Sequence, residues 1–352
     1  MATEFSNLSM STNSTGCDSE SPSLHQNKLV PTLYSIIFIL GFVGNVLVVY
    51  VLCQKSNRKT VANTYIVNLA LSDLFFLSSL PFWAVYYSFD YNWVFGRLMC
   101  KLCSSLLTLN VYASIYFITC MSVDRYRAIV YPLQSQSSRN LCQARVISGV
   151  IWLVAGLSTI PSMVFRDIHE MKTPMVTACA AIYPHDNWLP GLALAKNILA
   201  FLVPFTVIAS CYCRIGRHLL GAPSLDKTSS NLDRVMKMVV AVVLAFFLCW
   251  FPFHVLTFLH AMSSLGILEV CWAKQTVTTL LPFSLCLGFS NSAINPFLYC
   301  FVGNHFREQL CRVYKDKVPR LSQKRDSIST RLSSFSRKLS DLKDIGPLET
   351  IS

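Results

Sequence analysis

Four ionisable side chains fall inside stretches otherwise apolar enough for a lipid bilayer: Asp73, Asp124, Arg125 and Lys196. Holding such a group near the centre of a membrane helix costs about 3 kcal/mol on insertion scales, so each asks for a compensating role. Asp73 lies midway along its stretch, and Asn45, Asn110, Ser114, Asn291 and Asn295 fall at similar depths in others. One carboxylate among several neutral oxygens suits a small hard cation or ordered water. The same residues could equally form a hydrogen-bonded network that only fixes helix packing.

Asp124-Arg125-Tyr126 closes another apolar stretch, where the arginine could be held by its neighbouring carboxylate or released to another helix or a partner, a natural two-state element. The bland alternative is a snorkelling interfacial anchor. Cys249-Trp250-Phe251-Pro252 sets a prolyl kink beside an indole that can register pressure from a ligand above it. Asn295-Pro296-Phe297-Leu298-Tyr299 and Pro204 perturb two further stretches in the same way, with Tyr212 two turns below Pro204.

Lys196 and Arg166 place two cations near one apolar mouth, which suits an anionic ligand group; snorkelling and loop exposure are the competing explanations. Trp83, Tyr86 and Tyr87, with Tyr34, supply an aromatic wall that could flank such a cavity or form an interfacial belt.

The elements that must position these residues are membrane helices. Of 352 residues, 53% are hydrophobic and 14% charged, too few charges to cover a water-soluble domain. A spanning helix needs about 20 mostly apolar residues. Seven stretches qualify, at roughly 31–54, 63–88, 98–130, 143–164, 189–216, 233–262 and 274–302. The first 28 residues are polar, with no cleavable signal peptide, and carry glycosylation acceptor sequences at Asn7 and Asn13, which matter only outside the cell. Placing that end outside puts 23 of the 30 Lys and Arg residues on the cytoplasmic side, as the positive-inside rule requires.

Of 14 cysteines, Cys17, Cys100, Cys179 and Cys271 then fall outside, and four cysteines permit three pairings. After the seventh stretch, Phe306, Leu310 and Val313 recur at helical spacing among Arg307, Gln309 and Arg312, as in a helix lying in the interface. Cys311 there is a palmitoylation candidate or a plain cytosolic thiol. The tail beyond interleaves Ser327, Ser329, Thr330, Ser333, Ser334, Ser336 and Ser340 with basic residues, a kinase-substrate pattern or a solvated tail. The expected organisation is an extracellular tail over 1–28, a seven-transmembrane all-α bundle over 29–302, a short interfacial helix over 303–314 and a disordered cytoplasmic tail over 315–352.

Composition also excludes. The net charge of +12 lies in loops and a tail beside spans, not on one folded face, so it points to topology and anionic lipids, not nucleic acid. Asp73 and Asp124 are too far apart along their helices to pair as acid and base, which argues against an enzyme. A transporter would show inverted repeats or paired discontinuous helices, and neither is evident.

Asn45, Leu69-Ala70-Leu71-Ser72-Asp73, Asp124-Arg125-Tyr126, Trp152, Cys249-Trp250-Phe251-Pro252 and Asn295-Pro296-Phe297-Leu298-Tyr299 together resemble the rhodopsin-like G-protein-coupled receptors. Phe117–Tyr126, Val242–Leu259 and Asn295–Phe306 are similar to the angiotensin receptors, their type 2 branch above all, over about residues 30–314. The resemblance implies disulfides Cys100–Cys179 and Cys17–Cys271, an allosteric sodium site at Asp73, Asn110, Ser114 and Asn291, and an activation switch at Ile115, Pro204 and Phe246. It implies a peptide ligand whose C-terminal carboxylate meets Lys196 and Arg166, with Trp83, Tyr87, Thr108 and Trp250 also lining the pocket. It implies a plasma-membrane receptor with a heterotrimeric G protein or arrestin as partner and no enzymatic cofactor.

One departure stands out. These receptors place acidic residues near the outer ends of the sixth and seventh spans for the peptide's arginine; the matching positions here are His260 and Thr278. Losing one partner of a buried charge pair costs about 2–5 kcal/mol, roughly 30-fold or more in affinity. Asp90, Asp167, Asp186 and Glu269 are candidate substitute anions on the outer face. The expected function is therefore a peptide-hormone receptor for angiotensin II or a related peptide. The alternative is another peptide receptor of the class, or an atypical one signalling weakly through G proteins.

Overall fold

A computed structural model describes residues 26–54, 60–133, 140–172, 175–220, 230–268, 271–302 and 306–312. Its helices are α1 (Gln26–Leu52), α2 (Val61–Leu77), α3 (Leu80–Ser88), α4 (Gly96–Val130), α5 (Leu141–Leu157), α6 (Ile160–Phe165), α7 (Trp188–Asn197), α8 (Val203–Leu220), α9 (Ser230–Ser264) and α10 (Cys271–Val302), with strands β1 (Arg166–Lys172) and β2 (Met175–Ala181). Seven helical segments are long and apolar enough to cross a membrane: α1, α2 with α3, α4, α5 with α6, α7 with α8, α9 and α10. These are the first to seventh spans below. Their ends lie within a few residues of the hydropathy expectation.

Two spans are interrupted by the same device. The second breaks at Ser78–Ser79 and the fourth at Ser158–Thr159, each just before a helix with proline in its first turn. Proline lacks the N–H that position would leave unused anyway. Ser78 and Ser79 donate to the carbonyls of Phe75 and Phe76 at 2.7 Å, and Ser158 and Thr159 to those of Val154 and Gly156 at 2.9 and 2.7 Å. The sixth and seventh spans instead run on as helix through Pro252, Pro282 and Pro296.

The third and seventh spans are mostly buried, whereas the fourth and fifth expose most of their surface. Val146, Val150, Leu153 and Leu157 line that exposed apolar face, as a lipid-facing helix requires. Close approach of the first span to its neighbours depends on absent side chains. A Cβ on Gly41 would fall 2.9 Å from Leu77, and one on Gly44 2.9 Å from Pro296. Asn45 stitches the contact by donating to the carbonyls of Gly41 and Ser292 at 2.9 and 2.8 Å.

The connection after the fourth span is an antiparallel hairpin, with Arg166 opposite Ala181 and Cys179 inside β2. Its period-2 signal is weak because β2 buries its last four residues in a row. The disulfide Cys100–Cys179 ties it to the third span. Arg97 adds an ion pair to Asp167 at 2.7 Å, and Trp93 N–H donates to the Thr177 carbonyl at 2.6 Å. Asp90 and Tyr91, both at positive φ, turn the chain so that Trp93 reaches β2. Contacts divide the chain into Met1–Asn304 and His305–Ser352; in the second, 306–312 is a short helix with Cys311 exposed.

Candidate functional site

At the hairpin end of the bundle, Lys196 occupies the last turn of α7. Its ammonium lies 5.9 Å from the centroid of the Phe253 ring on the sixth span, within cation–π range. The adjacent Asn197 is tied to the same span: its Oδ1 accepts from His254 Nδ1 at 2.6 Å and from Thr257 Oγ1 at 3.1 Å. Arg166 opens β1 and donates to the Cys179 carbonyl at 3.4 Å. Withdrawal from water pulls its guanidinium down to about 10, Tyr183 opposing the shift, so it stays charged at neutral pH. Thr108 links the third span to the fourth through the Ser162 hydroxyl at 3.0 Å.

Trp83, Tyr86, Tyr87 and Tyr34 are all buried, against one another and not as an interfacial belt. Tyr91 meets Tyr87 at 5.1 Å between centroids, Tyr87 meets Tyr34 at 5.6 Å and Tyr34 meets Phe289 at 5.3 Å. Phe289 then contacts Trp250 at 6.4 Å, and Trp250 contacts Phe246 at 6.3 Å. Ring contacts thus run unbroken from the hairpin end to mid-bundle. Trp250 is 2% exposed, and Ile115, Pro204 and Phe246 are buried on the third, fifth and sixth spans.

Asp73 is fully buried and its carboxylate accepts from Asn110 at 2.9 Å, Ser292 at 2.7 Å and Asn295 at 3.0 Å. Asn110 also reaches the hydroxyls of Ser72 and Ser114 at 3.1 Å each. Of the expected cation ligands, Asp73, Asn110 and Ser114 come together, while the buried Asn291 amide nitrogen has no hydrogen-bond partner. Ser72 and Ser292 join the set without having been expected. The oxygens Oδ1 of Asn45 and Asn295 are buried without a donor. The Asp73 carboxylate with the hydroxyls of Ser72, Ser114 and Ser292 and the oxygen of Asn295, whose amide nitrogen is on that carboxylate, makes an all-oxygen set, which fits sodium.

At the far end Arg125, 7% exposed, is held by Asp124 at 2.7 Å. Arg214 on the fifth span donates to the Tyr126 hydroxyl at 3.3 Å, and Tyr212 lies near Ser122 and Arg125. The Tyr299 hydroxyl is buried without a partner, and Pro296 packs on Gly44. Trp152 is anchored by Asn68 at 2.8 Å.

His260 is buried and its Nε2 has no hydrogen-bond partner. Among the acidic residues of that face, Asp167 is engaged by Arg97, Asp90 accepts from Asn27 and Asp186 is exposed. Asn7, Asn13, Cys17, Glu269, the serine-rich tail and the side chains of Cys271 and Thr278 lie outside the described residues.

The chain matches the model of the 7 transmembrane receptor (rhodopsin family) over residues 44–299. It is 46% identical to the type-2 angiotensin II receptor of Homo sapiens across 95% of this chain and 92% of that protein. The Mus musculus type-2 receptor is also 46% identical, over 91% and 89% respectively. The type-1 angiotensin II receptor of Canis lupus familiaris is 40% identical, over 89% and 88%.

Proposed function

The chain belongs to the rhodopsin family of seven-transmembrane receptors, a family of receptors and not of enzymes, and from that premise we propose that it is a plasma-membrane receptor for angiotensin II or a closely related peptide. Its hairpin end faces outward and the Asp124-Arg125-Tyr126 end faces the cytoplasm, where a heterotrimeric G protein or arrestin docks. The helix at 306–312 lies in the cytoplasmic interface.

The observation that carries this reading is the environment of Lys196. Its ammonium is half-buried on a membrane helix, set over Phe253 beside the Asn197–His254 pair. A charge kept in that setting is suited to a ligand anion, which in angiotensin-like peptides is the C-terminal carboxylate. Arg166, charged at neutral pH, supplies the second cation, and the buried aromatic wall with Thr108 receives the apolar part of the peptide.

Pressure on Phe253 or Phe289 bears on Trp250, which touches both rings. Displacing Trp250 moves the sixth span, and the Asp124–Arg125 pair opens to the cytoplasmic partner. An agonist drives this only by binding the open arrangement better than the closed one. Asp73, Ser72, Ser114, Ser292 and Asn295, with Asn110 bonded to the first three, would hold a sodium ion. Bound there, the ion supplies a positive charge against the buried carboxylate.

His260 favours a second reading within the same class. A buried imidazole is a poor partner for a peptide arginine, so a related peptide altered at that residue would bind better than angiotensin II. Competition of labelled angiotensin II by its free-acid and C-terminally amidated forms tests the main reading. The acid should win by on the order of 30-fold; equal potency would refute it.

A further inference from the structure

The fifth span carries a π turn at Ile198–Leu202, directly below Lys196 and Asn197. There the Val203 N–H reaches back five residues to the Ile198 carbonyl and so passes over Leu199. In that register the next donor would be residue 204, but Pro204 has no N–H. In an ordinary α register Leu199 would be served by Val203, and the carbonyl facing Pro204 would be that of Ala200. Pro204 therefore strands one carbonyl whichever register the turn adopts, and the bilayer offers no water to satisfy it.

Tyr116 of the third span settles the choice. Its hydroxyl donates to the Leu199 carbonyl at 3.2 Å, the one stranded by the π register. We infer that Tyr116 is a positioning residue for ligand recognition: by satisfying Leu199 it holds the π turn, and the π turn aims Lys196 and Asn197 at the sixth span. One extra residue in a turn rotates the helix above it by roughly 100° relative to the helix below. Relaxation to the α register would swing Lys196 away from Phe253, and Asn197 away from His254 and Thr257. The inference rests on the proposed role of Lys196 as carboxylate anchor.

The test uses the full-length receptor in lipid nanodiscs with Tyr116→Phe, which removes one oxygen and leaves the ring. Two quantities are read: hydrogen exchange of the amides over 198–205, and competition by the free-acid and amidated forms of angiotensin II. The expected result is faster exchange in that segment and a threefold to twentyfold loss for the acid, with the amide unchanged. In a Pro204→Ala background, where an N–H is restored, the same substitution should have little effect on either reading. Unchanged exchange, or an equal loss for acid and amide, would overturn the inference. Failure of the underlying reading shows elsewhere: wild-type receptor would then bind acid and amide alike. That would end the positioning role even if exchange responds to Tyr116→Phe.

Discussion

Trp250 lies against Gly288 so closely that a Cβ at position 288 would fall 3.0 Å from its Cε3 and Cζ3 atoms. The indole that, on the proposed reading, couples the ligand end to the sixth span therefore rests on a missing side chain of the seventh. Gly288→Ala forces the ring aside, and overpacking of this kind costs about 1–3 kcal/mol. Thermal unfolding in nanodiscs should show a lowered midpoint, with Gly288→Val lower still. A neutral Gly288→Ala would mean that the contact is not tight.

Asp73 is the one carboxylate in its polar cluster, so Asp73→Asn removes the charge while keeping the size. In the wild type, replacing choline by sodium should weaken agonist binding, on the order of fivefold for a coupling near 1 kcal/mol. Asp73→Asn should abolish that dependence. A sodium effect that survives the substitution would show that the ion acts elsewhere.

The hairpin is held by attachments of unequal worth. Arg97 is 66% exposed, and an ion pair so open to water contributes only about 0–1 kcal/mol. The disulfide closes a loop spanning 79 residues, where removal typically costs about 2–5 kcal/mol. Cys179→Ser should lower the thermal midpoint far more than Arg97→Ala. Comparable losses would contradict this ranking.

On the proposed reading the Asp124–Arg125 contact at 2.7 Å helps to hold the cytoplasmic end closed, a charged hydrogen bond worth about 1.5 kcal/mol or more. Asp124→Asn should raise the ligand-free open population roughly tenfold. A pair of spin labels on the cytoplasmic ends of the third and sixth spans would report it without any partner. An unchanged distance distribution would mean that other contacts keep the end closed.

The seven spans were legible because hydropathy acts over about twenty residues at a time, Asp73 and Asn110 because charge and amide groups are rare inside membranes, and Ser114 by its depth and the family resemblance. Ser72 and Ser292 were not, since serine is common in membrane helices and only geometry shows that they face the carboxylate. Gly288 was hidden for the same reason, and the π turn because it leaves the hydrophobic pattern almost unchanged. The breaks at Ser78–Ser79 and Ser158–Thr159 could have been read: each is a pair of hydroxyl residues two positions before a proline. The aromatic wall had two readings until its rings were found packed on one another. The Cys100–Cys179 bridge followed from family resemblance, since spacing alone left three pairings open.

The central claim is that Lys196 anchors the carboxylate of an angiotensin-like peptide. Saturation binding of labelled angiotensin II to membranes carrying the wild-type chain or Lys196→Ala, at matched surface expression, tests it most directly. The account predicts saturable binding that Lys196→Ala weakens by on the order of 30-fold or more. Absence of specific binding to the wild type, or an unchanged Kd in the variant, would contradict it.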